Sequence, residues 1–322
     1  MYCTNNVYRV MSLIQMRARP GKRVGLAPRL WRDKWLYLLM APGIVYFVIF
    51  KYLPMWGVVI AFENYVPFSG VLGSEWVGLK WFEYFFSNPA FLRLLENTLW
   101  LSLLNIAFFF PAPIILALLL NELRSQRYKK IVQTFLYVPH FISIVIVASI
   151  TYVTFGTGGI VYRLAEQLFN APVKFLTAPG AFRPMIIGQT IWKETGWGTI
   201  IFLAALSGVD MQLYEAAMCD GAGRLRQLWH ITLPAIRSTI VLLLVLRMGS
   251  VLDTGYEHLI LMANSLNRSV SQTFDVFVYQ QGIQSGQYSY ATAVGLFKAV
   301  VSVTLVVSAN KLAHKFGEPG LY

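Results

Sequence analysis

Glu215-Ala-Ala-Met-Cys-Asp-Gly-Ala-Gly-Arg-Leu-Arg-Gln-Leu-Trp-His-Ile-Thr-Leu-Pro234 lies between two long apolar runs yet is itself half polar, which places it at a membrane surface. Asp210 is positioned to cap a short helix in which Leu213, Ala216 and Ala217 share a face at i, i+3, i+4 spacing. Gly221 lets the backbone leave that helix at positive φ. A second short helix follows, with Leu225, Leu228 and Trp229 on one side, and Pro234 suits the first turn of the next membrane helix. The expected product is a helix–turn–helix with an alanine-rich tip, small enough to enter a groove on another protein.

Outward from this stretch the chain is a membrane protein by composition. Of 322 residues, 56% are hydrophobic and 13% charged, against about 25% charged in soluble domains. The net charge of +12 does not point to nucleic acid, because the cations flank apolar runs instead of forming one basic face. Six runs are long enough to span a bilayer: 36–60, 97–120, 131–154, 185–208, 235–254 and 289–309. The first carries Pro42, Lys51 and Pro54 and is expected to break near its outer end. The second carries Pro111 and Pro113, tolerable where neighbouring helices re-satisfy the freed carbonyls. The chain thus divides into a basic segment with an interfacial elbow helix (1–34), a membrane domain (35–313) containing the 209–234 loop, and a tail (314–322).

Orientation follows from the lysines and arginines. Eight lie in the N-terminal segment, four in the 121–130 loop, three in the 209–237 loop and two, Lys311 and Lys315, after the sixth run, whereas the opposite loops together hold seven. Both termini and the 215–234 stretch are therefore expected on the cytoplasmic side. Cys3 and Cys219 fall on that side too, so no disulfide is expected.

Ionisable groups at bilayer depth cost about 2.5–3.5 kcal/mol or more each, so they face a cavity or a partner. Lys193 and Glu194 lie in the fourth run, Arg247 in the fifth with Asp253 near its outer end, and Lys298 in the sixth. Lys193 and Glu194 are about 100° apart on a helix, which disfavours their pairing. Gln189, Lys193 and Trp197 share a face, and a ring beside a cation and an amide suits a sugar. Three cations against one carboxylate at mid-depth favour an anionic cargo. The alternative is interhelical ion pairing, Glu194 with Arg247 or Lys298, with a purely structural role. No phosphate-binding G-x-x-x-x-G-K-[ST] run, hydrolase motif or metal-ligand spacing is present, and His140, His230, His258 and His314 are scattered.

The spacing of Glu215, Ala216, Ala217, Gly221, Ile231, Leu233 and Pro234 resembles the cytoplasmic loop of bacterial ABC importer permeases. Arg247-Met-Gly-Ser-Val-Leu-Asp-Thr-Gly-Tyr-Glu257, Tyr288-Ser-Tyr-Ala-Thr-Ala-Val-Gly-Leu-Phe297 and the ending Phe316-Gly-Glu-Pro-Gly-Leu-Tyr322 are similar to the carbohydrate-uptake class, and within it to permeases of alginate importers. The resemblance implies an all-α polytopic fold of about six spans, the type I importer permease architecture. It implies a non-catalytic transport subunit in a bacterial inner membrane, paired with a second permease, two ATPase subunits that hold ATP and magnesium, and a soluble binding protein. It also implies no cofactor in this chain. Glu215, Ala216, Ala217, Asp220, Gly221, Ile231, Leu233 and Pro234 would form the ATPase contact. Gln189, Lys193, Glu194, Trp197, Arg247, Asp253 and Lys298 would line the path of an oligo- or polysaccharide, alginate-like by charge. The outer loops, including the polar 255–288 segment with Asn264, Asn267, Gln280, Gln281 and Gln284, would form a platform for the binding protein. A proton-coupled sugar carrier is the rival, although no clear internal repeat relates 36–154 to 185–309.

Overall fold

The computed structural model describes residues 31, 33–169, 174–318 and 320–321. Most of the basic segment and its elbow helix, residues 1–30 and 32, lie outside the described residues. Two units are distinguished, Met1–Gly57 and Val58–Tyr322. The first contains α1 (Lys34–Phe47), with Pro42 inside it, then a π turn (Val48–Tyr52) and the Leu53–Met55 turn, whose first positions hold Pro54. None of the α1 side chains is buried, and the candidate span over this region runs Lys34–Phe62. Lys34 Nζ lies 4.7 Å from the centre of the Trp31 ring and 5.5 Å from that of Trp35, so the start of the span carries a cation between aromatics, as membrane interfaces favour.

The second unit is helical apart from a two-residue antiparallel pair among its described residues, β1 (Glu63–Asn64) with β2 (Glu75–Trp76). The pair precedes α2 (Lys80–Ser87), a surface helix that buries Phe85. The second span joins α3 (Ala90–Leu104), a π turn (Asn105–Phe109) and α4 (Pro111–Asn121). Pro111 and Pro113 have no N–H to donate, and the π turn re-routes the ladder, with Phe110 N donating to Asn105 O at 3.0 Å.

The third run, expected as one helix over 131–154, is two. α5 (Gln126–Tyr137) ends in a 3-10 turn (Val138–Phe141), and α6 (Ile144–Phe155) starts afresh behind Ser143, whose hydroxyl accepts from Val145 N. Pro139 stands in the interruption, and an apolar run conceals it from a hydropathy reading. α7 (Ile160–Phe169) follows, and then α8 (Pro179–Ser207), which begins six residues earlier than expected and is continuous for 29 residues despite Pro184.

α8 is the central strut. A Cβ built on Gly196 would overlap the carbonyl oxygen of Leu136 in α5, and one on Gly198 would sit 3.2 Å from Pro113 in α4. Such glycines allow backbone-close packing where lipid supplies no hydrophobic drive.

After α9 (Met211–Cys219), residues Arg224–Ala235 form a short α–π–α run, and Ile236 bends the path by 58° into α10 (Arg237–Gly249). The fifth span is thus shorter than 235–254, and Pro234 sits in the turn before the bend instead of the first turn of the membrane helix. Ile236 is buried with Ala117, Phe202 and Leu206.

The 255–288 segment is not an open polar loop. It contains α11 (Tyr256–Met262) and α12 (Phe274–Tyr279), and buries Leu259, Phe274 and Val276 together with Asn267. Asn267 therefore cannot belong to a surface platform. Its amide donates to Met262 O at 3.0 Å. Finally α13 (Tyr288–Lys315) extends past His314, into what the sequence assigned to the tail.

Gly196→Ala is expected to lower the thermal midpoint of the purified chain in detergent, overpacking costing about 1–3 kcal/mol. Gly188→Ala, on the same helix with nothing within 4 Å of the added carbon, should leave it unchanged or raised. Equal midpoints would contradict the role of Gly196.

Candidate functional site

Two sets of residues stand out, one at the 215–234 loop and one at mid-depth. In the loop, Asp210 Oδ1 accepts from Gln212 N at 2.9 Å and caps α9. At the other end Gly221, at φ +74°, closes the helix: its N–H bonds Met218 O at 3.0 Å and Ala222 N bonds Ala217 O at 2.8 Å. This paired 5→2 and 6→1 arrangement needs a residue content with a left-handed backbone. Tyr214 and Thr232 join hydroxyls at 2.9 Å, tying α9 to the returning segment. Glu215, Ala216, Asp220, Gly221 and Pro234 are exposed, and Ala217, Ile231 and Leu233 are half-buried. Arg224 reaches Glu122 at 3.7 Å, both at the surface.

At depth, the structure pairs what the sequence kept apart. Lys193 Nζ lies 2.8 Å from Glu194 Oε1, correcting the expectation that neighbours on a helix would not meet. Two long side chains curl toward a third group. Lys193 also donates to the carbonyl of His140 at 2.8 Å, and His140 Nδ1 lies 2.7 Å from Glu194 Oε2. His140 sits in the turn between α5 and α6, so Lys193 places a cation where α5 ends, its favoured position. The His140 ring stacks on Trp197 at 4.5 Å with 6° between planes. Glu194 therefore pairs with neither Arg247 nor Lys298.

Gln189 does not join Lys193 and Trp197 as a sugar contact. It is 9% exposed, with its amide bonded to Thr151 at 2.6 Å and His258 at 2.6 Å. Burial, and then the nearby Lys193, push the His258 imidazole down from its ordinary value to about 4. It is thus neutral near pH 7, and its Nε2–H donates to Gln189 Oε1. Trp197, 46% exposed, keeps ring surface open beside His140.

Lys298 is held between two carboxylates, Asp253 at 2.5 Å and Asp275. Asp275 in α12 also accepts from Thr254 N at 2.7 Å. The excess of three cations over one carboxylate does not survive this geometry. Arg247 alone of the three has no carboxylate within 4 Å among the described residues. Its Nη2 donates to Asn105 Oδ1 at 2.6 Å, in a narrow cleft lined also by Thr190, Asp253 and Thr254.

His140, His258, Asn105 and Asp275 were missed by sequence reasoning. Pro139, a proline inside an apolar run, was the one available signal for the first. No cluster of three or more metal-ligating side chains occurs among the described residues.

The sequence profile of a family described as binding-protein-dependent transport system inner membrane component matches residues 110–317. Protein LplB of Bacillus subtilis (strain 168) is 58% identical over 303 residues, 94% of this chain and 95% of that protein. The polygalacturonan/rhamnogalacturonan transport system permease protein YteP of the same organism is 55% identical, covering 94% of each. A solved bacterial ABC transporter involved in the import of the acidic polysaccharide alginate contains a chain 40% identical, with a TM-score of 0.83 over 90% of this chain and 98% of that one. A bacterial alginate ABC transporter solved with an alginate pentasaccharide-bound periplasmic protein matches at 39% identity and a TM-score of 0.84, over 92% and 99%.

The state of His258 gives a pH test. Its folded pKa lies below the unfolded value of about 6.5, so the unfolded chain binds more protons between pH 6.5 and 4 and stability falls as pH falls through that window. His258→Gln, which keeps a donor toward Gln189, should flatten the acid slope of the thermal midpoint. An unchanged slope would place the titrating group elsewhere.

Proposed function

The chain belongs to the binding-protein-dependent transport system inner membrane component family, and on that premise we propose that its cargo is an acidic oligosaccharide recognised through Arg247. It is an integral inner-membrane permease subunit of an ABC sugar importer. Membership of this family sets aside the secondary-carrier alternative. The acidic reading is supported by the Arg247 guanidinium, which bonds the neutral Asn105 and has no carboxylate within 4 Å among the described residues. It agrees with relatives named for polygalacturonan and for alginate, both polymers of uronic acids. A carboxylate entering the cleft gains a charge-assisted bond from a donor already held in place by Asn105 and by the Phe109 ring, whose centre lies 5.3 Å from the guanidinium carbon. Trp197 offers its ring to the apolar face of a pyranose, while Lys193, Glu194 and His140 hold the break beside it.

We assign ATP hydrolysis to two separate ATPase subunits, with ATP and magnesium bound there, and delivery to a soluble binding protein. A second permease completes the membrane part, and both termini lie in the cytoplasm. Glu215 anchors the loop on the ATPase, Ala216 and Ala217 permit close approach, Gly221 shapes the tip, and Asp220 flanks it. Ile231, Leu233 and Pro234 pass motion to α10. ATP moves the transporter only by binding the outward-open state more tightly than the inward-open one.

In the reconstituted importer, Arg247→Ala should weaken uptake of uronate oligosaccharides by about 10- to 100-fold relative to neutral ones, the worth of one charge-assisted bond. Lys193→Ala, which releases the break, should impair both alike. Equal losses in Arg247→Ala would refute recognition of charge. Separately, Gly221→Asp should leave membrane insertion intact while uptake no longer follows ATP hydrolysis. Unaltered uptake per ATP would remove the loop from the coupling path.

A further inference from the structure

The residues that follow α13 fold back onto the membrane domain. Gly317, at φ +74°, ends α13 with the same paired bonds that close α9: Gly317 N to His314 O at 3.0 Å and Glu318 N to Ala313 O at 3.1 Å. Leu321 N donates to Asn310 Oδ1 at 2.7 Å, and Asn310 is buried. Gly320 packs so closely on Asn310 and His314 that a Cβ there would overlap both. The strap presents Glu318, whose side chain is 11% exposed, to Arg237 Nε at 2.7 Å. Arg237 Nη2 also reaches Phe316 O at 3.4 Å.

Arg237 is the first residue of α10, immediately beyond the bend at Ile236. A cation at a helix N-terminus faces the positive end of the helix dipole, and the Glu318 carboxylate offsets that repulsion. The strap therefore grips the one point at which the 224–235 segment changes direction into the membrane. Spans five and six are joined there by an ion pair, not by apolar packing alone.

We infer that Glu318 is a positioning residue for energy coupling, fixing through Arg237 the angle at which the Arg224–Ala235 segment enters α10. The inference rests on the reading of the 215–234 loop as the ATPase contact. With the pair intact, displacement of the loop turns α10 and α13 together. With it broken, the loop rotates about Ile236 and the motion is dissipated at the bend.

The test uses the full-length tagged chain, purified from its native membranes with its associated subunits, placed in lipid nanodiscs and supplied with Mg-ATP as the only probe. Glu318→Gln and Arg237→Glu should keep the ATPase stoichiometry and the KM for ATP. They should lower kcat by roughly threefold, because the conformational step is slowed while the nucleotide site is untouched. The double variant Arg237→Glu/Glu318→Arg should restore kcat. An unchanged kcat in both single variants, or a loss that the exchange does not recover, overturns the proposal. Where a single variant fails to recruit the ATPase, recovery of recruitment by the exchange supports the pair and continued failure overturns it. A wild-type chain that brings down no ATPase overturns the coupling reading and the strap's role with it.

Discussion

Lipid cannot hydrogen-bond a peptide group, so every interruption of a span must be repaired from within the protein. This constraint accounts for most of the polar residues at depth. Lys193 repairs the end of α5 through the carbonyl of His140. Ser102 donates to Val251 O at 2.5 Å, beyond the end of α10. The Asn97 amide bonds Ser269 O and Gln272 O at 2.9 and 2.8 Å, in the turn leading to α12. Thr199 Oγ1 reaches Pro113 O at 3.4 Å beside the proline-rich start of α4. The broken spans and the polar side chains are two aspects of one arrangement, and α8 carries much of it because Gly196 and Gly198 bring its neighbours within reach.

What the sequence disclosed follows from the range of the signals. The 215–234 stretch was legible because its determinants are local: a capping aspartate and a left-handed glycine act within one or two turns. Hydropathy likewise marked six apolar runs, where the described residues hold four helices long and apolar enough to cross a membrane, or up to six if each bent pair is one span. It did not reveal that the 131–154 run is broken into α5 and α6, because Pro139 and Ser143 are embedded in an apolar run. The segment between the last two spans looked like a polar loop, and its composition gave no sign that Leu259 and Phe274 would be buried there.

The charges at depth were the hardest to read. Counted along the sequence they gave a cationic surplus, but Asp275 belonged to a segment placed outside the membrane, and it claims Lys298 together with Asp253. A helical wheel separated Lys193 from Glu194, yet both side chains are long enough to converge on His140. Partnerships between residues 23 to 142 positions apart, such as Lys298 with Asp275 and Arg247 with Asn105, leave no trace in local pattern. Once they are drawn, the field of three cations contracts to one guanidinium that has no carboxylate within 4 Å among the described residues.

The bonds that close α9 and the hydroxyl contact between Tyr214 and Thr232 have a thermodynamic consequence at the tip of this loop. The tip holds its shape before any partner arrives. Ordering a loose segment on contact would consume about 1–2 kcal/mol of backbone entropy per residue, and a preformed tip avoids that loss. Under the proposed coupling role, binding energy gained at the tip remains available to move helices, and is not spent on organising the surface that receives it.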